Sequence, residues 1–146
     1  MAEQRPPQAD EIDSLDLAQL REVIDRLDLE ILERISARAH CALKVADVKL
    51  KADPDNAVFY RPEREAQVLT RVMERNQGPL GNEDMARLFR EIMSACLALE
   101  KPLEVAYLGP EGTFTQQATL KHFGQWVQSK PMPAIDEVFR EVEAGA

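Results

Sequence analysis

Apolar side chains recur at helical spacing through a long stretch without glycine or proline, from about Leu15 to Lys51. At about 100° per residue they project within roughly 60° of one another. The pattern predicts a helix of about 35 residues, roughly 50 Å long. Ser14 or Asp16 is expected to be its N-cap, and Asp16 with Gln19 resembles a capping box. The apolar stripe consists of Leu20, Ile24, Leu27, Ile31, Ile35, Ala42 and Val45.

Two shorter helices are expected next. Residues 53–56 (Asp-Pro-Asp-Asn) have turn chemistry that ends the first helix, and Pro62 suits the first turn of the second. The second helix should end near residues 76–79. Asn82 is expected to cap a third helix, which runs to about Glu100 before Lys101 and Pro102 stop it.

The pattern changes after residue 102. Residues 103–108 predict a short buried strand, 109–112 a turn, 115–123 a helix, and 136–143 another helix with Gly145 as its C-terminal stop. This order is the beginning of an α/β unit. Some 45 residues are too few for an adequate core, so we expect a truncated domain in which the chain ends before a sheet could form.

These elements predict three segments: a flexible, polar tail (1–14), a helical domain (15–101) and an incomplete α/β domain (102–146). The two shorter helices cannot cover the stripe of the first from end to end. The expected fold is therefore all-α, a three-helix domain that forms an intertwined homodimer through its long helices, followed by the incomplete α/β segment.

Composition and charge exclude several classes of function. The 146 residues are 45% hydrophobic and 30% charged, which describes a soluble globular protein. The net charge of −8 argues against nucleic-acid binding. No apolar run is long enough to span a membrane, and Cys41 and Cys96 fit neither a disulfide framework nor a metal pattern, so we expect a cytoplasmic protein. His40 and His122 are isolated, with no ligand spacing around them, and we expect no metal.

Ionisable residues interrupt the apolar faces of all three helices. Arg38 and Lys49 lie in the middle of the first stripe, about 20° apart around the helix and about 16 Å apart along it. Each either extends to solvent or has an anionic partner. Glu65 shares a face with Leu69 and Val72 on the second helix. On the third, Glu100 continues the line through Phe89, Met93 and Cys96.

Four such residues on helices that must pack together indicate a polar pocket inside a bundle. Arg21 and Arg64 join this set with less support, because each could be a solvated surface arginine. Arg21 lies about 25 Å along the helix from Arg38, so a ligand that contacts both must take Arg21 from the partner chain. Arginines and a lysine suit a small dicarboxylate. With no nucleophile–base pair and no nucleotide-binding loop, any chemistry should rest on positioning and electrostatic stabilisation.

Two segments carry a resemblance to known families. Residues 20–28 (LREVIDRLD), with Arg38, Lys49, Arg64 and Glu65, resemble the all-helical chorismate mutases. Residues 105–115 (VAYLGPEGTFT) are similar to the opening of prephenate dehydratase. In this order the two resemble the bifunctional chorismate mutase–prephenate dehydratases of phenylalanine biosynthesis.

The resemblance implies the rearrangement of chorismate to prephenate without a cofactor, in a homodimer whose two sites are shared between chains. By position, Arg21 of the partner subunit and Arg38 would bind the two carboxylates, with help from Arg64. Lys49 would bond the ether oxygen, and Glu65 would accept from the ring hydroxyl. Glu100 falls where the family has Gln or Glu facing the ether oxygen.

A carboxyl group at that position can donate a hydrogen bond only when it is protonated. We therefore expect burial to raise the pKa of Glu100 and activity to fall as the pH rises. Two positions depart from the pattern. Cys96 stands where some relatives have a carboxylate-binding serine, and Arg61 stands where some have an aspartate.

The catalytic Thr-Arg-Phe segment and the phenylalanine-sensing domain of the dehydratases would lie beyond residue 146, so we expect no dehydratase activity from this chain. Two other interpretations remain. One is a non-catalytic helical dimerisation module whose buried charges fix the register. The other is a mutase of the isochorismate-lyase kind, against which the dehydratase-like segment argues.

Overall fold

The computed structural model describes residues 7–144 and separates the chain into two compact units, Met1–Arg38 and Ala39–Ala146. The described residues form six helices and two strands. In chain order these are α1 (Ala9–Asp13), α2 (Leu17–Ala52), α3 (Pro62–Arg75), α4 (Asn82–Glu100), β1 (Glu104–Leu108), α5 (Phe114–Phe123), β2 (Gln128–Met132) and α6 (Ile135–Glu143).

The long helix that the periodicity predicted is present as α2. Its start is a reciprocal capping box: the Asp16 N–H donates to Oε1 of Gln19 (3.0 Å), and the Gln19 N–H donates to Oδ1 of Asp16 (2.9 Å). Within α2, every residue of which is described, only Ala46 is buried. Ile24 and Ile31 of the apolar stripe are each 54% exposed. A single chain therefore leaves much of this stripe in water, as the unequal helix lengths predicted.

A short helix lies where the sequence predicted only a tail. Residues 9–13 form α1, whose first turn is capped because the Gln8 N–H donates to Oε2 of Glu11 (2.8 Å). Glu11 thus satisfies one of the donors that a helix leaves open at its N-terminus. The first six residues of the predicted tail lie outside the described residues.

Helices α3 and α4 pack against each other. The buried residues are Leu69 on α3 and Ala86, Ser94 and Cys96 on α4. Pro62 occupies the first turn of α3, as predicted. The prediction for Asn82 was wrong by one residue: Asn82 is the first residue of α4 and Gly81 is the N-cap. Oδ1 of Asn82 instead accepts from Nδ2 of Asn76 (2.9 Å), which ties together the two ends of the loop.

The segment after α4 does form a sheet, and the expectation that the chain ends too early for one was wrong. Strands β1 and β2 pair in parallel, in register from Glu104 with Gln128 to Leu108 with Met132, and α5 connects them. The sequence of β2, Gln-Ser-Lys-Pro-Met, has little strand propensity, and proline is tolerated only at an edge. Helices α5 and α6 both contact β1, and Tyr107, the fourth residue of β1, is buried.

The predicted strand and the two predicted helices of this segment are present, each within one residue of its predicted bounds. Gly145 lies outside the described residues. Among the helices of residues 7–144, none combines the length and the apolarity needed to cross a bilayer.

Candidate active site

Lys49 lies in the last part of α2 and is half-buried, although its neighbours Val48 and Leu50 are exposed. Its ammonium group points at the loop before α3. Nζ is 3.5 Å from the carbonyl oxygen of Phe59 and 5.5 Å from the centroid of the Phe59 ring. Both contacts are at the long end of their ranges. The charge therefore has an electron-rich neighbour but no tight partner there, and it remains able to bind an anion.

Glu65 occupies the first turn of α3, where the helix dipole favours a carboxylate. Its backbone N–H donates to the carbonyl of Arg61 (3.1 Å), which closes the first turn of the helix. Oε1 lies 3.7 Å from Nε of Arg90 on α4. The two side chains are only 20% and 26% exposed, so this ion pair is largely withdrawn from water.

Arg90 was missed in the sequence analysis, which followed a single apolar line along α4. A second line was present, because Ala86 lies four residues before Arg90 and Leu97 seven residues after it. Ala86 is buried and Leu97 is half-buried. Applied to this second face, the reasoning that singled out Glu65 and Glu100 would have included Arg90.

Tyr60 shares the electrostatic environment of this pair. Burial raises the pKa of its hydroxyl, and the nearby charge of Glu65 raises that pKa further. The positive charge of Arg90 acts in the opposite direction, and Glu63 adds a smaller upward effect. The ring of Tyr60 also meets the edge of Phe123 at a centroid distance of 5.7 Å. Tyr60 is therefore held between α3 and the end of α5.

Glu100 is the last residue of α4 and is half-buried, with its Oε2 atom shielded from solvent. The role of hydrogen-bond donor that the sequence analysis gives to Glu100 stays a prediction. Cys96, one turn earlier on the same helix, is buried with a free thiol.

The three arginines of the predicted set differ in exposure. Arg21 and Arg64 are exposed, whereas Arg38 is half-buried. Arg21 and Arg38 belong to the unit Met1–Arg38, and the other predicted residues to the unit Ala39–Ala146. Within the second unit, the structure places Lys49 beside Phe59 and Glu65 beside Arg90. The assembly of all six predicted residues around one ligand stays a prediction.

A cavity of about 300 Å³ lies beside this region, between the loop that follows α2 and the end of α4. Phe59, Tyr60 and Leu97 form its apolar wall, and Lys101 and Glu104 contribute its charges. The predicted site residues are not among those that line it.

The dehydratase-like segment has a well-defined loop between β1 and α5. The hydroxyl of Thr113 donates to the carbonyl of Pro110 (2.9 Å), and the hydroxyl of Thr115 donates to the carbonyl of Leu108. Gly112, at a φ of +81°, donates its N–H to Oε1 of Gln116 (2.6 Å). The run Leu-Gly-Pro-Glu-Gly-Thr-Phe is thus a turn that presents backbone and hydroxyl groups at the carboxyl end of a strand.

Within residues 7–144 no group of three or more His, Cys, Asp or Glu side chains could hold a metal ion. Half-buried cations on α2 (Arg38 and Lys49) and half-buried carboxyl groups on α3 and α4 (Glu65 and Glu100) are typical of a helical protein that binds a small charged molecule. Residues 20–101 match the family model of type II chorismate mutase, and residues 105–146 match that of prephenate dehydratase. The chain belongs to the type II chorismate mutase family.

Curated relatives support the same assignment. The chain is 69% identical over 132 residues to a bifunctional chorismate mutase/prephenate dehydratase of Stutzerimonas stutzeri, which covers 89% of this chain and 36% of the relative. It is 66% identical to the protein of that name from Pseudomonas aeruginosa, with the same coverage. For the one from Neisseria gonorrhoeae the identity is 50% over 123 residues. The chain spans about a third of the length of these relatives.

Proposed function

We propose that this chain is a chorismate mutase, which converts chorismate to prephenate by a pericyclic rearrangement. The match of residues 20–101 to the type II family carries the proposal. Its chemistry agrees with a half-buried lysine on α2, a partly buried carboxylate on α3 and a carboxyl group at the end of α4. Such a reaction needs no covalent step, only a bound conformation and compensation of the charge that develops.

The role of each residue is the one that the family resemblance implies, and it agrees with the chemistry of the side chain. Arg38 and Arg21 of the partner subunit bind the two carboxylates of chorismate, with Arg64 beside them. Lys49 compensates the negative charge that grows on the ether oxygen as its bond to carbon breaks. Glu100, when protonated, donates to the same oxygen, and Glu65 accepts from the ring hydroxyl.

The proposal includes a homodimer with two shared sites. Its support is the exposed apolar face of α2, where Ile24, Ile31 and Val45 are about half exposed in the single chain. An apolar face of this length is expected to find a partner in solution. A second α2 packed along this face would also supply Arg21 of the partner subunit. The Arg21 on the same helix as Arg38 lies too far along that helix to contact the same ligand.

Residues 102–146 would form the first strand–helix–strand unit of a prephenate dehydratase domain, which their family match supports. The biological setting would be phenylalanine biosynthesis, the process to which prephenate dehydratase belongs. A cytoplasmic location is favoured by two free cysteines, one of them exposed.

The decisive test follows the loss of the diene absorbance of chorismate with the purified chain, alongside Arg38→Ala. Arg26→Ala is the matched control, since Arg26 lies on the same helix and makes a long, half-exposed ion pair with Glu30. Turnover that persists in the control and disappears in Arg38→Ala would support the mutase. No turnover from a folded dimer would instead favour the non-catalytic dimerisation module.

A further inference from the structure

The ion pair between Glu65 and Arg90 joins two helices. Glu65 stands in the first turn of α3, and Arg90 stands near the middle of α4. Both side chains are about three-quarters or more shielded from water. Two charges in such a place are retained only when each compensates the other.

The geometry of the pair leaves both Glu65 and Arg90 able to make further hydrogen bonds. The separation of 3.7 Å between Oε1 and Nε is an electrostatic contact, longer than a hydrogen bond. Nε of Arg90 is buried and has no hydrogen-bond partner among the described residues. A carboxylate has about four acceptor positions, so Arg90 occupies one side of Glu65 and leaves the other oxygen open.

Glu65 and Arg90 both act on a neighbouring phenol. The phenol of Tyr60, in the loop before α3, interacts electrostatically with Glu65 and Arg90, and also with Glu63 of α3. Tyr60 and Glu63 both lie on the α3 side, and Arg90 is the cation that meets Glu65 from α4. The direction of the Glu65 carboxylate is therefore controlled from α4.

We infer that Arg90 is a positioning residue for the proposed mutase reaction: it holds one oxygen of Glu65 against α4, so that the other accepts the hydrogen bond of the substrate's ring hydroxyl. This inference rests on the proposed function. Arg90 itself does not touch the substrate. Its effect on turnover passes through Glu65 and depends on the presence of that hydroxyl.

The test compares chorismate with an analogue that lacks the ring hydroxyl, using the full chain and the variants Arg90→Met and Arg90→Lys. Arg90→Met should lower kcat/KM for chorismate by about 10- to 100-fold, the range for a hydrogen bond to a charged group. It should leave kcat/KM for the analogue nearly unchanged. Arg90→Lys keeps the charge and should recover part of the loss.

Arg87→Met is the matched control, because Arg87 lies one turn earlier on α4 and pairs with Asp84 at a 70% exposed position. It should retain the wild-type preference for chorismate over the analogue. The double variant Glu65→Gln, Arg90→Met should be no less active than Glu65→Gln alone, since Arg90 has no other route to the substrate.

The contrary outcomes distinguish a failure of this inference from a failure of the proposed function. Equal losses on both substrates would show that Arg90 only stabilises the fold, and they would overturn the inference while leaving the mutase in place. Additive losses in the double variant would do the same. If Arg90→Met does not fold, Arg90→Lys takes its place in the test. A lower ratio of kcat/KM for chorismate to kcat/KM for the analogue than in the wild type supports the inference, and an unchanged ratio overturns it. A wild-type chain without turnover would overturn the proposed function and this inference with it.

Discussion

The backbone at Gly124 lies directly against the side chain of Ser94. A Cβ atom on Gly124 would come within 2.6 Å of Cβ and 2.7 Å of Oγ of Ser94, which is closer than real Cβ atoms approach. The next residue adds a hydrogen bond, from the Gln125 N–H to Oε2 of Glu91 (3.2 Å). The turn after α5 is thus seated on α4, and the dehydratase-like segment packs on a mutase helix through a position that only glycine can occupy.

We therefore expect Gly124→Ala to destabilise the chain by about 2 kcal/mol or more. Its φ of +87° and ψ of 176° fall in a region that is essentially confined to glycine, and the added methyl group would also collide with Ser94. Gly112→Ala is the matched control: Gly112 has a similar φ of +81° but open space around a Cβ. It should cost about 1 kcal/mol. Urea unfolding of both variants measures the difference, and equal costs would contradict the packing at Ser94.

Lys49→Met should lower kcat for chorismate by about 10²- to 10³-fold, the usual loss when a group that stabilises transition-state charge is removed. The methionine keeps most of the side chain's volume, so the loss reports the charge. Lys51→Met, two residues further along α2 at an exposed position, should retain full activity. Steady-state kinetics of the two variants tests this, and equal activities would remove Lys49 from the site.

Glu100→Gln should abolish the decline of kcat/KM at high pH. In the wild type the carboxyl group donates only while it is protonated, so activity is highest at low pH and falls as the proton is lost. An amide donates at every pH, and the variant profile should be flat over the same range. The measurement is kcat/KM between pH 5 and pH 9. A decline of the same shape in both proteins would assign the titration to another group.

Ile31→Glu should dissociate the proposed dimer. Ile31 is 54% exposed in the single chain, in the middle of the apolar stripe. A buried, uncompensated charge costs about 3 kcal/mol or more, which is roughly a hundredfold in the dimer dissociation constant. Ala37→Glu adds the same charge at an exposed position about 120° away around the helix. Sedimentation velocity should show monomers for the first variant and dimers for the second; dimers in both would place the interface elsewhere.

Local pattern predicted the helices well. The capping box of Asp16 and Gln19, the turn at residues 53–56 and the proline in the first turn of α3 are decided by neighbouring residues, so short-range chemistry is sufficient. Strand β2 was missed for the opposite reason. Its sequence has neither alternation nor β-branched residues, and it is a strand only because β1 offers it a parallel edge.

The candidate site likewise contains residues that the sequence reveals and contacts that it does not. The sequence by itself singled out Lys49, Glu65 and Glu100, because a charge on an apolar face is visible as a break in periodicity. It did not reveal that Arg90 meets Glu65, since the two residues are 25 positions apart on different helices. Nor did it reveal that Gly124 meets Ser94. Periodicity determines which face of a helix is apolar, whereas the partner of a buried charge and the space beside a backbone depend on how separate elements pack, and only the tertiary structure decides that.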